Sequence, residues 1–157
     1  MNIFVLDSDP AKAAEFHCDN HVGKMLLESV QMLSTVRRLY GYTAPYRATH
    51  PNHPATVWVR ESRANYVWLY DLARELDIQH VARFGTRHSS GKALSKVLLV
   101  PAELPDTPRT KFAQCMPPKY QHADAVVAYR KFYAGEKAHF ATWRNEEPYW
   151  WRIMCHK

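Results

Sequence analysis

A chain of 157 residues with 46% hydrophobic side chains can bury one good core, which argues for a single domain and against disorder. Its net charge of +6 favours an acidic partner, with nucleic acid and an anionic membrane surface both qualifying. No apolar run approaches the length of a membrane-spanning helix, and the first residues carry no secretory pattern.

Ile3 to Leu6 is a short apolar run, read as a small strand or an extended arm. Asp9 as N-cap and Pro10 at the first helical position then open a long helix, expected over 10–40 and ended by Gly41. Asp19, Asn20 and Gly23 weaken its middle and make a kink there an open question. After a loop over 41–53, Pro54 opens a second long helix over 54–84, closed by Gly85. A turn over 85–91 leads to a third helix over 92–99. The segment 101–118 holds five prolines and reads as a long ordered loop. A last helix over 123–140 precedes an aromatic tail, 143–151, expected to pack back on the body. The pattern predicts an all-α fold: a single compact helical domain with two long helices, shorter C-terminal helices and a long Pro-rich loop. The three cysteines, Cys18, Cys115 and Cys155, are odd in number and lack C-x-x-C spacing, which fits a reducing compartment.

The most informative stretch is His17, His21, Lys24, Glu28, Gln31 and Thr35. At about 100° per residue these six side chains fall in a helical strip roughly 80° wide. The opposite face, with Val22, Met25, Leu26, Val30, Leu33 and Val36, is expected to meet the core. A row of two imidazoles, an amine, a carboxylate and an amide suits proton transfer or nucleophilic work, while the plain alternative is a solvated polar face. His17 and His21 stand one turn apart, as zinc-chelating helices have them, and Asp19, Cys18, His50 or His53 could supply a third ligand, none of them fixed by spacing. The position after the first His is Cys18 rather than the Glu of metalloproteases, so the preferred reading is metal-free imidazoles and no cofactor. Lys24 and Glu28 form either a helix ion pair or an amine nucleophile beside a carboxylate, with Asp19 a further candidate acid.

The run from Arg83 through Arg87 and His88 to Lys92 joins cations and hydroxyls to two glycines before a helix start, which suits phosphate. Phe112 and Gln114 sit in a loop between prolines, either as a wedge and gap-filler in a base stack or as core anchors. Arg60 on the second helix, and Arg130 and Lys137 beside Tyr129 and Tyr133, complete a candidate cationic footprint for DNA.

The run Asn2-Ile3-Phe4-Val5-Leu6-Asp7-Ser8-Asp9-Pro10, followed by His17-Cys18-Asp19-Asn20-His21-Val22 and Lys24-Met25, resembles the small phage-type proteins labelled pyrimidine-dimer DNA glycosylases. Trp58-x-Arg60-Glu61-Ser62, Phe112-Ala113-Gln114-x-Met116-Pro117 and Gly135-Glu136-Lys137-Ala138 are similar to the same group, so the likeness touches most of the chain. It implies a distant relation to the endonuclease V-type enzymes, which are small, basic and mostly helical. Those enzymes bind damaged duplex DNA and kink it, and an N-terminal amine, assisted by a helix carboxylate, attacks the sugar C1′. The implied protein is cytoplasmic, in a bacterial or phage-infected host cell. Its partner would be duplex DNA with the target base flipped out; no membrane is involved, and the oligomeric state is left open. Two features depart from that pattern. Asn2 follows Met1 where those enzymes expose a Thr amine, and a large second residue hinders removal of Met. Glu28 is chosen as the carboxylate from the helical strip. The expectation is therefore a base-excision glycosylase, with or without a lyase step, acting on a damaged or modified pyrimidine. Glu28 stabilises the sugar cation or activates the nucleophile, Lys24 is the candidate amine, and His21 and His17 relay protons. Glu28 and Asp19 activating water is the non-covalent variant. A nucleotide- or base-transforming enzyme that cuts no strand, and a non-catalytic nucleic-acid-binding module, are the alternatives.

Overall fold

The structure, a computed structural model, describes residues 1–156. It is all-α, with no strand among the described residues: α1 Pro10–Phe16, α2 Asp19–Leu39, α3 Pro54–Val59, α4 Arg63–Phe84, α5 Ser89–Lys92, α6 Ala125–Glu136 and α7 Tyr149–Cys155. Short 3₁₀ turns lie at Leu94–Val97 and Pro118–Tyr120. The long helices α2 and α4 pack together, and α1 lies against α4. The core face read from the sequence is the one observed, since Val22, Met25, Leu26, Val30, Leu33 and Val36 are all buried. Tyr66, Trp68, Leu69, Leu72 and Leu76 of α4 meet the same core.

Both long predicted helices are broken. The first stops at Phe16 because His17 and Cys18 are extended, with ψ of 134° and 161°. The cause lies far along the chain. The Arg83 guanidinium, from the end of α4, donates to the carbonyls of His17 (2.7 Å) and Glu15 (2.9 Å). It also pairs with the Asp19 carboxylate at 3.2 Å, so one cation satisfies the end of α1 and the start of α2. Arg83 is therefore a structural residue and not part of a DNA footprint: its side chain is only 2% exposed. Breaking a buried pair of this kind costs about 3–5 kcal/mol. Arg83→Ala is expected to lower the unfolding free energy by roughly that amount, read as a fall in the urea midpoint.

The second predicted helix breaks at 60–62, where Ser62 caps α4 by accepting from the Asn65 N–H at 3.0 Å. The Asn65 side chain donates to Trp58 O (2.7 Å) and exchanges hydrogen bonds with Thr110, pinning the Pro-rich loop to this corner. Thr110 Oγ1 donates in turn to Glu61 at 2.7 Å. Trp58-x-Arg60-Glu61-Ser62 is thus a corner motif, with Arg60 bonded to Pro51 O at 2.6 Å. Gly85, at φ +75°, ends α4 as expected.

The expected helix over 92–99 is instead the four-residue α5 and a 3₁₀ turn. Gly91 sits directly on Asp77, where any Cβ would collide with the carboxylate. Tyr66 Oη donates to Val97 O at 2.6 Å and fixes the turn. The last long helix is shorter than expected. The aromatic tail packs back through α7, with Trp150 and Trp151 buried against Tyr133. The apolar start, Ile3 to Leu6, is an extended arm buried in the core, held by Arg130 Nε donating to Leu6 O at 2.8 Å. No described helix is long and apolar enough to cross a membrane.

Candidate active site

Burying the arm brings the start of the chain onto α2. Asn2 fixes the approach: its Nδ2 donates to Cys115 O at 2.9 Å, and its Oδ1 accepts from the Ile3 N–H at 2.8 Å. Tyr129 Oη also lies 3.0 Å from that oxygen. With the side chain of residue 2 locked, the main chain ahead of it meets Glu28. Oε1 of Glu28 accepts from the Asn2 N–H at 3.0 Å and pairs with the Met1 α-amine at 3.3 Å. Both partners are shielded, the Met1 side chain 5% and Glu28 13% exposed.

This pair lines a cleft of about 390 Å³ with His21, Lys24, Gln31 and Lys137, walled by Phe4 and Phe132. Lys137 comes from the C-cap of α6 and sits over both rings, 5.8 Å from Phe4 and 5.3 Å from Phe132. The Gly135-Glu136-Lys137 motif explains that placement. A Cβ at Gly135 would strike Tyr120, whose Oη donates to Glu136 at 2.7 Å, leaving Lys137 turned to the cleft. Comparison of the chain with known protein families, with curated proteins and with solved structures finds no match.

Of the helical strip, His21, Lys24, Glu28 and Gln31 do share one site. Lys24 and Glu28 form no ion pair among the described residues; the amine beside the carboxylate is that of Met1. Thr35 serves as a clasp, accepting from the Thr49 N–H at 3.0 Å and bonding its own helix at Gln31 O. That clasp holds the 49–53 loop to α2. His53 stands within electrostatic reach of the site: burial lowers its pKa, the Met1 amine and His50 lower it further, and Glu28 opposes them. The resemblance raises an N-terminal amine and the Met1–Asn2 start argues against it; what the sequence does not give is its contact with Glu28, which follows from burial of the arm.

His17 is outside the cleft. It lies before α2, fully buried, with Nδ1 donating to Ala13 O at 2.6 Å and Nε2 unpartnered. Burial brings its pKa down to about 4. His21 is held at about 3 by burial, with the cations of His17, Lys137 and Lys24 adding, so it is neutral near pH 7. Among the described residues no three His, Cys, Asp or Glu side chains are placed to hold a metal, so His17, His21 and His53 do not assemble as ligands. Asp19 is spent on Arg83.

The predicted DNA contacts divide. Phe112 is not a free wedge: it stacks on Trp58 at 5.2 Å and meets Trp68 at 4.8 Å. Gln114 has its amide bonded to His122, donating at 2.6 Å and accepting at 3.0 Å. Arg130 ties the arm to Asp7. Arg87 pairs with Asp77 at 2.8 Å, and His88 Nδ1 accepts from the Ser90 N–H at 3.1 Å, so the turn before α5 caps itself. Lys92 is exposed, and Lys24 and Lys137 line the cleft.

Proposed function

We propose that this chain is a DNA-acting enzyme of the base-excision type, a glycosylase for a damaged or modified pyrimidine that works through an imine. The observation that carries this reading is the shielded contact between the Met1 amine and Glu28 in a cationic, aromatic-walled cleft. An amine held against a carboxylate that can act as its base suits imine formation, and an N-terminal amine assisted by a helix carboxylate is what the resemblance implies. Glu28 takes a proton from the ammonium, and the freed lone pair bonds to C1′. The glycosidic bond breaks with its electron pair going to the base, which takes the proton that Glu28 has just received. The regenerated carboxylate takes a second proton from nitrogen and passes it to O4′ as the C1′–O4′ bond breaks, and the nitrogen lone pair closes the protonated imine. Lys24 and Lys137, at the cleft, suit flanking phosphates, and the resemblance of the N-terminal run and of the 135–138 motif to the glycosylase group supports the same reading.

The second reading, an enzyme that transforms a nucleotide or modified base without cutting a strand, has its own support. The cleft is the size of one small ligand, and several predicted DNA-binding residues are engaged inside the fold. Borohydride trapping on a duplex carrying one abasic site tests the first. We expect a covalent adduct that maps to the N-terminal peptide, together with strand scission in the unreduced reaction. An adduct mapping to Lys24 would move the nucleophile, and no adduct would remove the imine route.

A further inference from the structure

We propose that Tyr133 is a positioning residue that fixes His21 as its neutral Nε2–H tautomer, so that His21 donates a hydrogen bond into the cleft and does not act there as a base. Tyr133 is fully buried, and its Oη makes three contacts. It accepts from the Cys18 N–H at 2.9 Å, and it lies 2.8 Å from His21 Nδ1 and 3.1 Å from Cys18 Sγ. A phenol has one proton, so either the imidazole nitrogen or the sulfur receives it.

The chemistry of the two acceptors decides. An imidazole nitrogen accepts strongly and sulfur weakly. Burial pushes the Cys18 pKa up, so Cys18 keeps its own hydrogen and can donate it to the second lone pair of Oη. In that arrangement every group is satisfied: the N–H and S–H of Cys18 point at Oη, and the O–H points at Nδ1. In the opposite arrangement the O–H is spent on sulfur, and the thiol hydrogen has no other acceptor among the described hydrogen bonds. A neutral imidazole that accepts at Nδ1 carries its proton at Nε2. That nitrogen has no protein partner among the described residues and, unlike Nε2 of His17, is not sealed from solvent. The ring cannot easily turn away, because Phe4 stacks on it at 4.9 Å and Phe140 meets it at 5.4 Å.

The use of that donor, against an oxygen acceptor of the substrate, rests on the cleft being the reaction site; the tautomer does not. The test is therefore spectroscopic. In protein labelled with ¹⁵N in its histidine rings, at neutral pH, we expect His21 to show a protonated Nε2 and an unprotonated, hydrogen-bonded Nδ1. Tyr133→Phe should move the Nδ1 resonance to the position of an unbonded ring nitrogen. Cys18→Ala, which removes the competing sulfur, should leave the proton on Nε2. A protonated Nδ1 in the unaltered chain would overturn the proposal whatever the variants do, and so would an Nδ1 resonance unmoved in Tyr133→Phe. Neither result depends on what the enzyme acts upon, so a failed activity assay and a failed tautomer assignment are told apart.

Discussion

Glu28→Gln will leave the fold standing and slow adduct formation on abasic duplex DNA by about 10²–10⁴-fold, the range for loss of a positioned acid or base. The glutamine carbonyl can still accept from the Asn2 N–H, the contact at 3.0 Å that seats the arm. What it cannot do is take a proton from the Met1 amine, 3.3 Å away, or place a negative charge beside a developing sugar cation. The control is Lys24→Ala, which removes an exposed amine from the same cleft without touching the pair. It is expected to change the single-turnover trapping rate by only a few-fold, through weaker phosphate contact. If Lys24→Ala abolishes the adduct while Glu28→Gln spares it, the reactive amine is the lysine. If the parent forms no adduct and duplex binding is the same in the parent and in Glu28→Gln, the imine route is removed, which leaves the binding module and the enzyme that cuts no strand. Thermal unfolding of Glu28→Gln, matched to the parent, excludes misfolding as the cause of a lost rate.

What could be read from the sequence was what local spacing controls. The core face of α2 follows from the helical repeat of Val22, Met25, Leu26, Val30 and Leu33, and the ends of the helices follow from Asp9 with Pro10 and from Gly85. That His21, Lys24 and Glu28 share the opposite face also follows from that repeat; that this face is recessed does not, because Phe4 of the arm and Phe132 and Lys137 at α6 wall it. The breaks do not. The extended pair His17–Cys18 is stabilised by Arg83, a residue from the far end of α4, and no window around residue 17 contains that information. The same limit explains the cationic footprint. An arginine reads as a phosphate contact until tertiary structure offers it buried carbonyls, as happens to Arg83 and, at Leu6 O, to Arg130. Phe112 between prolines has the composition of a wedge, yet tertiary structure gives its ring Trp58 and Trp68 to pack on. The Met1 amine is a different case: the resemblance raises an N-terminal amine and the Met1–Asn2 start argues against it, while its place beside Glu28 depends on the tertiary burial of the arm.

The two buried histidines also set how the protein responds to acid. In the unfolded chain each titrates near 6.5, whereas in the fold His17 does so at about 4 and His21 at about 3. Below pH 6.5 the unfolded chain therefore binds two protons that the folded chain refuses, and acid favours unfolding. The stability at stake is fully present above pH 6.5 and drains as pH falls, through the window from 6.5 to about 4 for His17 and to about 3 for His21. One pKa unit is about 1.4 kcal/mol per site, so two sites give a slope of about 2–3 kcal/mol per pH unit. Against the roughly 5–15 kcal/mol that typically holds a domain together, a loss of that kind is large enough to read in an unfolding midpoint. Urea unfolding at half-unit steps between pH 7 and pH 4 measures it. His17→Gln gives the decisive comparison, because its amide can donate to Ala13 O in place of Nδ1 but does not titrate. The slope should fall by about half, to about 1.4 kcal/mol per pH unit, with the remainder belonging to His21. An unchanged slope would mean that His17 is already charged in the folded protein, and its unpartnered Nε2 would then need an acceptor that the fold does not provide.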